Sequence, residues 1–510
     1  MNKRVECAIP LNRVEGDLEL RVAVEDGRIV DAWSAGTMFR GFERFMIDRG
    51  PLDGLVITPR ICGICSITHL TAAVRALDQI AGQAPPPNAT RLRNVALLVE
   101  TIQSDLRQSL LMYLVDFANP TFADHPWHAE AVTRYQVLQG RRCVEAVRET
   151  KHLLEVIALI GGQWPHTSFM VPGGVVYAPP VVDFQKSLHL LKRFRHWYEQ
   201  TVLGSSIARW QEITSTEALD HWLTERSEHL QGDVGFLLTA GRAMGLNRLG
   251  IGHQRFLSYG AMDIPEGSIV TGIAGQLVPA GFVQGLDGGQ SFDPWQITEE
   301  VAYSWYADYP GGRHPMEGIT NPVASGAEGR KYSWVKAPRY GGQVAETGPL
   351  AERVVAQDRL FLDLMRREQG ASALTRQLAR LTRTVHLIGA LEQWLLELIR
   401  EQKAPFYLPV EPLQNGSGMG LTQAARGALG HWVKIQDGRI AHYQIITPTA
   451  WNGSPRDGNG VRGAWEQAIL DTPMSDPDDP VLAGMVVRSF DPCLVCSVHV
   501  VGGGRRRLAV

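Results

Sequence analysis

Cysteine is scarce in this chain, with six residues in 510. So low a content excludes a disulfide-stapled scaffold. No apolar run approaches the roughly 20 residues that a transmembrane helix requires. The opening stretch, MNKRVECAIPLNRVEG, lacks an apolar segment of the secretory kind. These two absences predict a cytoplasmic protein with no direct membrane span, unless a partner subunit exports or attaches it. An excess of either charge is missing too. Fifty Lys and Arg face 53 Asp and Glu, a formal net charge of −3, which leaves no footprint for nucleic acid or an anionic membrane. Internal repeats, low-complexity blocks and flexible linkers are also lacking. With 44% hydrophobic and 20% charged residues, the composition is neither disordered nor fibrous.

The few cysteines are placed unevenly. Cys7 and Cys143 stand alone, whereas Cys62/Cys65 and Cys493/Cys496 form two C-x-x-C pairs, one near each end of the chain. One such pair is ambiguous between a redox dithiol, a metal half-site and chance. Two pairs suggest four thiolates converging on one metal, against the plainer alternative of two unrelated cysteine loops. Zinc and an iron–sulfur cluster are the default choices for four thiolates. Local zinc ribbons keep their pairs far closer in sequence. A site tying both ends of a large chain points instead to a buried functional centre.

The hydrophobic pattern predicts a mixed α+β fold that is mostly α, a large helical bundle core with small β-hairpins near both termini. Leu18–Val24 alternates apolar and polar residues, and Asp26-Gly27 offers a tight turn before Arg28-Ile29-Val30. A second hairpin is expected around Asp437-Gly438. Apolar residues at three- and four-residue steps predict helices over Thr90–Phe117, His128–Ile160, Phe184–Leu203, Leu350–Arg367 and Ala373–Glu401. Segments 163–183 and 250–345, rich in Gly, Pro and aromatics, read as ordered loops with short strands. Residues 1–499 are expected to form one domain. The Gly- and Arg-rich residues 500–510 read as a tail.

Around the first pair the chain reads Arg60-Ile-Cys-Gly-Ile-Cys65, then Ser66-Ile-Thr-His69. Gly63 allows the tight turn that lets both sulfurs face one metal. His69 lies close enough to bond a sulfur or support the site from behind. Around the second pair, Cys493, Cys496 and His499 step by three and share a face if helical.

Together these motifs resemble the two metal-binding signatures of the [NiFe]-hydrogenase large subunit. Five further segments extend the resemblance: Asn12-Arg-Val-Glu-Gly16, Gly36-Thr-Met-Phe-Arg-Gly-Phe-Glu43, Lys336-Ala-Pro-Arg-Tyr340 with Glu346-Thr-Gly-Pro-Leu-Ala351, Arg426-Gly-Ala-Leu-Gly-His-Trp432, and Ile446-Thr-Pro-Thr-Ala-Trp-Asn452. They keep the family's order and span residues 12–499.

The resemblance implies a Ni–Fe(CO)(CN)2 centre, with Cys62 and Cys493 terminal on nickel and Cys65 and Cys496 bridging to iron. Heterolytic cleavage of H2 needs a soft, sulfur-rich metal and a nearby base, here Cys493 or Arg426. Glu15 would relay protons, although its position alone reads as a surface strand carboxylate. Arg426 and Thr449, beside Pro448, would donate hydrogen bonds to the cyanides, with His69 supporting the centre. Asp105 and Asp491 would pair with Arg426, since an unpaired buried charge is costly. Glu43, His499 and the main-chain carbonyl of Ile445 would hold Mg2+ or a similar ion.

The remaining cysteines are too few to carry electrons away. The resemblance therefore implies an iron–sulfur small subunit as partner, H2 uptake as the favoured direction, and maturation proteins that insert the metals. An H2-sensing subunit with the same centre is the alternative, suggested by Gln103-Ser-Asp-Leu-Arg107. A quinone-binding descendant without the metal conflicts with four retained cysteines, and a structural zinc protein is the remaining rival.

Two departures stand out. Many relatives place Pro before the arginine where Ala425 stands here. Eleven residues follow His499, either a precursor tail removed after nickel insertion or a permanent one. Gly416-Ser-Gly-Met-Gly420 superficially suggests a nucleotide loop, but tight packing near the metal is the better reading of these glycines.

Overall fold

The structure, a computed structural model, describes residues 4–286, 288–325, 329–476 and 478–497, the side chains of Cys496 and Ser497 excepted. The expected ligand His499 and the tail 500–510 lie outside the described residues.

The N-terminal alternation builds a sheet as period two requires. Val5–Pro10, Leu18–Glu25 and Arg28–Gly36 pair antiparallel in that order, with Leu18, Leu20 and Val22 buried. Asp26 and Gly27 turn the chain with φ of 50° and 71°, a left-handed pair that matches strand twist. Asp437 and Gly438 repeat the device at 49° and 70°. They join Gly427–Gln436 to Arg439–Ile446 in a second antiparallel sheet begun by Gly416–Ala424.

A third sheet pairs Arg255–Asp263 with Gln276–Gln284. These strands are longer than the glycine-rich segment suggested. Seven consecutive residues of the first, Phe256–Met262, are buried, so there was no alternation to read.

Helices supply most of the core. Ala373–Arg400 runs as expected, opened by a capping box between Ser372 and Thr375, and packs on Pro87–Arg107. Four expected helices are broken or altered. Thr90–Phe117 is α-helical only to Arg107, then passes through π-helix Gln108–Tyr113 and 3-10 helix Leu114–Ala118. His128–Ile160 divides into His128–Tyr135 and Arg141–Gly161. A Cβ at the intervening Gly140 would lie 2.4 Å from the Arg134 carbonyl oxygen, so the reversal needs glycine. Leu350–Arg367 divides into Pro349–Val355 and Arg359–Arg367, the second capped by Asp358. Phe184–Leu203 is helical from Val181 to Trp197 and continues as a π-helix to Leu203.

The Gly416–Gly420 segment lies flat on helix Ser66–Ala81. A Cβ at Gly418 would sit 2.1 Å from the Ala76 carbonyl oxygen, and one at Gly420 1.7 Å from that of Ala72. Close packing explains these glycines, and the strand they form is set against the helix that follows Cys65.

Candidate metal centre

Sequence separation of 431 residues collapses to 3.6 Å between the Sγ atoms of Cys62 and Cys493. Cys65 joins them, with ligand atoms all within 4.8 Å of one another and all three residues buried. Ile64 and Val495 pack around the sulfurs. Cys496 lies in the short helix Leu494–Ser497 that opens directly after Cys493.

Each half of the centre is held by several elements. Cys65 sits immediately before helix Ser66–Ala81, whose first N–H groups need acceptors. Glu100, from the middle of Pro87–Arg107, supplies them. Its carboxylate accepts from the Ile67 and Thr68 amides at 2.8 Å and from the Thr68 hydroxyl at 2.8 Å. Arg40 donates to the carbonyls of Ile61 and Val495, one residue before a cysteine in each motif. Thr449 accepts from the Cys493 amide at 2.9 Å through Oγ1, which leaves its O–H free to donate elsewhere. Pro448 opens the helix that presents Thr449.

Burial pushes the Glu100 carboxyl up to about 7, against the pull of its hydrogen bonds from Ile67, Thr68 and Trp164. A raised folded-state pKa means the contribution of Glu100 to stability is complete below its ordinary value of 4.5 and is lost as pH rises through about 7. Glu100→Gln should flatten that part of the stability profile. Glu100→Ala strands the Ile67 and Thr68 donors and should cost about 2–3 kcal/mol, read as a lower thermal midpoint.

Glu15 reaches the second motif through its backbone. It forms a parallel bridge with Cys493, and its carbonyl accepts from the Leu494 amide at 2.6 Å. Gly16, at φ +83°, lets the strands approach, since a Cβ there would meet the Val495 nitrogen at 2.9 Å. The half-buried Glu15 carboxyl is raised by burial first, then by Cys62 and Asp491, with Arg426 pulling the other way.

Arg426 is fully buried in the two-residue turn, Ala425-Arg426, between strands Gly416–Ala424 and Gly427–Gln436. Its Nε lies 3.1 Å from Asp491 Oδ1, an ion pair without hydrogen-bond alignment, because neither Nε nor Nη1 finds a hydrogen-bond partner. Burial acts to lower its pKa, but Asp491 and the thiolates of Cys493, Cys62 and Cys65 outweigh it, so the guanidinium stays charged.

Asp105 is placed differently from expectation. Its ion pair is with Arg383, at 3.5 Å, not with Arg426. It projects from Pro87–Arg107 toward the long helix Ala373–Arg400, so the arginines of that helix reach it first. Burial raises its carboxyl to about 7, while Arg383 and Arg380 oppose the rise.

His69 is buried on the first turn of Ser66–Ala81 and bonds His431 at 3.1 Å, which in turn bonds Tyr443 at 2.9 Å. Burial drives its pKa down to about 4, so the ring is neutral at physiological pH.

Glu43 and Ile445 do come together. Glu43 Oε1 accepts from the Ile445 amide at 3.0 Å and from Gln444 at 2.6 Å, while Oε2 faces Thr320 and, at 3.4 Å, Lys336. These four donors fill the carboxylate, so a cation here would displace one of them, Lys336 being the loosest.

The sequence reading missed a brace from helix Ala373–Arg400. Arg376 pairs with Glu346 at 2.6 Å and lies 3.9 Å over the Phe490 ring. Arg380 donates to the Ser489 carbonyl at 2.8 Å. Arg383 donates to the Ala425 carbonyl at 3.0 Å. Their spacing of four and three puts all three on one helix face, the only available signal.

Three buried cysteine sulfurs clustered beside a permanent cation could hold a soft metal ion. A thiolate set of this kind suits nickel, and a buried guanidinium with unused donors suits small anionic ligands beside it. The model of the nickel-dependent hydrogenase family matches residues 40–124 and 119–499. The chain belongs to that family and is a hydrogenase large subunit, an oxidoreductase acting on H2. It is 30% identical to the uptake hydrogenase large subunit of Rhodobacter capsulatus, over 96% of this chain and 94% of that one. It is 31% identical to the periplasmic [NiFeSe] hydrogenase large subunit of Desulfomicrobium baculatum, with the same coverage. The reduced Ni-Fe-Se hydrogenase structure from D. vulgaris Hildenborough superposes with a TM-score of 0.81 at 31% identity, covering 98% of this chain and all of that one. The family implies a Ni–Fe centre. No helix among the described residues is long and apolar enough to cross a membrane.

Proposed function

We propose that this chain oxidises H2 at a Ni–Fe centre held by Cys62, Cys65, Cys493 and Cys496 and passes the electrons to an iron–sulfur small subunit. The observation that carries the site is the convergence of Cys62, Cys65 and Cys493 within 4.8 Å from opposite ends of the chain. When bound, the metal pair supplies a soft acceptor that polarises H2 so that its bond breaks heterolytically.

The protein's own residues then manage charge and protons. Arg426 is too basic to serve as the proton acceptor near neutral pH, so the thiolate of Cys493 takes the first proton. Glu15, bridged to Cys493 through the backbone and half-buried, carries it toward solvent. Arg426 and the O–H of Thr449 would donate hydrogen bonds to the anionic ligands of the iron. Asp491 balances Arg426. Glu43, the Ile445 carbonyl and His499 would hold a Mg2+ or similar ion once a donor such as Lys336 gave way at Glu43, and His69 would support the thiolates.

Uptake is the favoured direction, in keeping with the name of the R. capsulatus relative. Exposed Phe45, Leu52, Val56, Val176, Tyr177 and Tyr407, several of them around an open apolar hollow of about 750 Å³, suit the small subunit's docking face. Cytoplasmic placement belongs to the same proposal, with export or membrane attachment through the partner as the other arrangement; the D. baculatum relative is named periplasmic.

Infrared spectra of the purified complex before and after H2 test the reading. Sharp carbonyl and cyanide stretches that shift under H2 are expected. Their absence from nickel-loaded, matured protein would return the cysteines to zinc or iron–sulfur binding.

A further inference from the structure

The turn that carries Arg426 has no local reason to be rigid. Ala425 and Arg426 include neither Gly nor Pro, and neither has a positive φ, so the two-residue connection lacks the residues that usually fix such a turn. Its conformation must be imposed from outside. Arg383 is the group in position to do so. Fully buried at mid-helix, it donates from Nη1 to the Ala425 carbonyl at 3.0 Å and from Nη2 to the Ala424 carbonyl at 3.4 Å. The same guanidinium is held by Glu352 Oε1 and lies 3.5 Å from Asp105 Oδ2. A planar fork is suited to spanning two successive carbonyls while Glu352 hydrogen-bonds it and Asp105 adds a second negative charge beside it.

We propose that Arg383 is a positioning residue for Arg426, a buried clamp anchored by Glu352 and Asp105 that holds the 424–425 backbone and so aims the guanidinium over the thiolate cluster. Asp105 thereby acts on the site through Arg383, as its counter-ion, and not through contact with Arg426. This inference rests on the role assigned to Arg426 above.

The test uses the assembled, metal-loaded heterodimer with Arg383→Lys, Arg383→Gln and Arg426→Lys. Lysine keeps the charge but cannot span both carbonyls. Arg383→Lys should retain nickel and iron and leave KM for H2 within about twofold, while kcat falls about tenfold or more, the loss expected when a positioned group goes astray. Two readouts separate aiming from bulk stability. The cyanide stretching bands should shift or broaden, and amide hydrogen exchange in the peptide spanning Gly427–Leu429 should accelerate while helix Ser66–Ala81 stays protected. If Arg383→Gln does not assemble, Arg383→Lys alone carries the test. Wild-type kcat, bands and exchange in Arg383→Lys, beside a crippled Arg426→Lys, would overturn the clamp and leave the Arg426 reading intact. An Arg426→Lys enzyme with full activity would instead overturn the reading on which the clamp rests.

Discussion

Cys493→Ser should yield a folded chain that retains less than about a tenth of the nickel and has no measurable H2 oxidation. Cys493 is completely buried, and its sulfur lies 3.6 Å from that of Cys62, so the two cannot serve separate purposes. A serine hydroxyl fits the space, and its amide still donates to Thr449, so the backbone should survive. What it lacks is charge and softness. A hydroxyl gives up its proton to a metal far less readily than a thiol, and nickel prefers the polarizable sulfur. Loss of a ligand should exceed the 10–100-fold cost typical of a supporting group around a metal.

Cys143→Ser is the matched control. Burial raises the Cys143 thiol to about 11, and its sulfur donates to the backbone carbonyls of Leu110 and Tyr135, at 3.4 and 3.6 Å, within the apolar core. It is a neutral core thiol, and its loss should leave nickel content unchanged. Elemental analysis of both variants, purified in complex, decides the matter. Full nickel in Cys493→Ser would show that the convergence of the cysteines is not the metal site.

The two C-x-x-C pairs and their collinear companions made this cluster legible, because ligand residues must be particular types at particular spacings. The arginine brace was harder to see. Arg376, Arg380 and Arg383 share a helix face opposite Leu378 and Leu381, and a sequence reader expects the charged face of such a helix to meet water. They are buried because acidic groups and bare carbonyls from distant segments await them: Glu346, Ser489, Ala425 and Asp105. Only tertiary contact reveals such pairing. Glu100 was hidden in the same way, a lone carboxylate within the apolar repeat of Val95, Leu98 and Ile102 that turns out to cap the helix after Cys65.

Asp105 illustrates the opposite error. The sequence supplied an acid in a plausible place, and the expectation assigned it to the nearest functional cation. The fold gives it to Arg383. The helix breaks have a comparable cause. Periodicity continues across Gly140 and Asp358 because both flanking helices bury one face, while a close backbone approach at the first and a capping carboxylate at the second end one helix and begin the next.

Glu15→Gln should separate proton exit from the rest of catalysis. Glutamine matches glutamate in shape and keeps the backbone bridge to Cys493, so metal content, infrared bands and KM for H2 should be unchanged. It cannot carry a proton. If Glu15 is the relay, steady-state H2 oxidation should fall by about 10²–10⁴, the usual contribution of a positioned acid–base group. The environment of Glu15 suits that task. Burial and the charges of Cys62 and Asp491 lift its carboxyl above the ordinary 4.5, with Arg426 opposing, which makes it a better proton acceptor than a solvated carboxylate. That lift has a thermodynamic signature of its own. A raised folded-state pKa makes the stabilising contribution of Glu15 complete below 4.5, and it is lost as pH rises through the folded-state value. The glutamine variant escapes this loss, so it should be slightly more stable than the parent in alkaline buffer while turning over far more slowly. Stability and activity moving in opposite directions is the pattern of a group kept for function at a cost to the fold. A variant with parental turnover across the pH range would remove Glu15 from the proton route and leave it a strand carboxylate beside the centre.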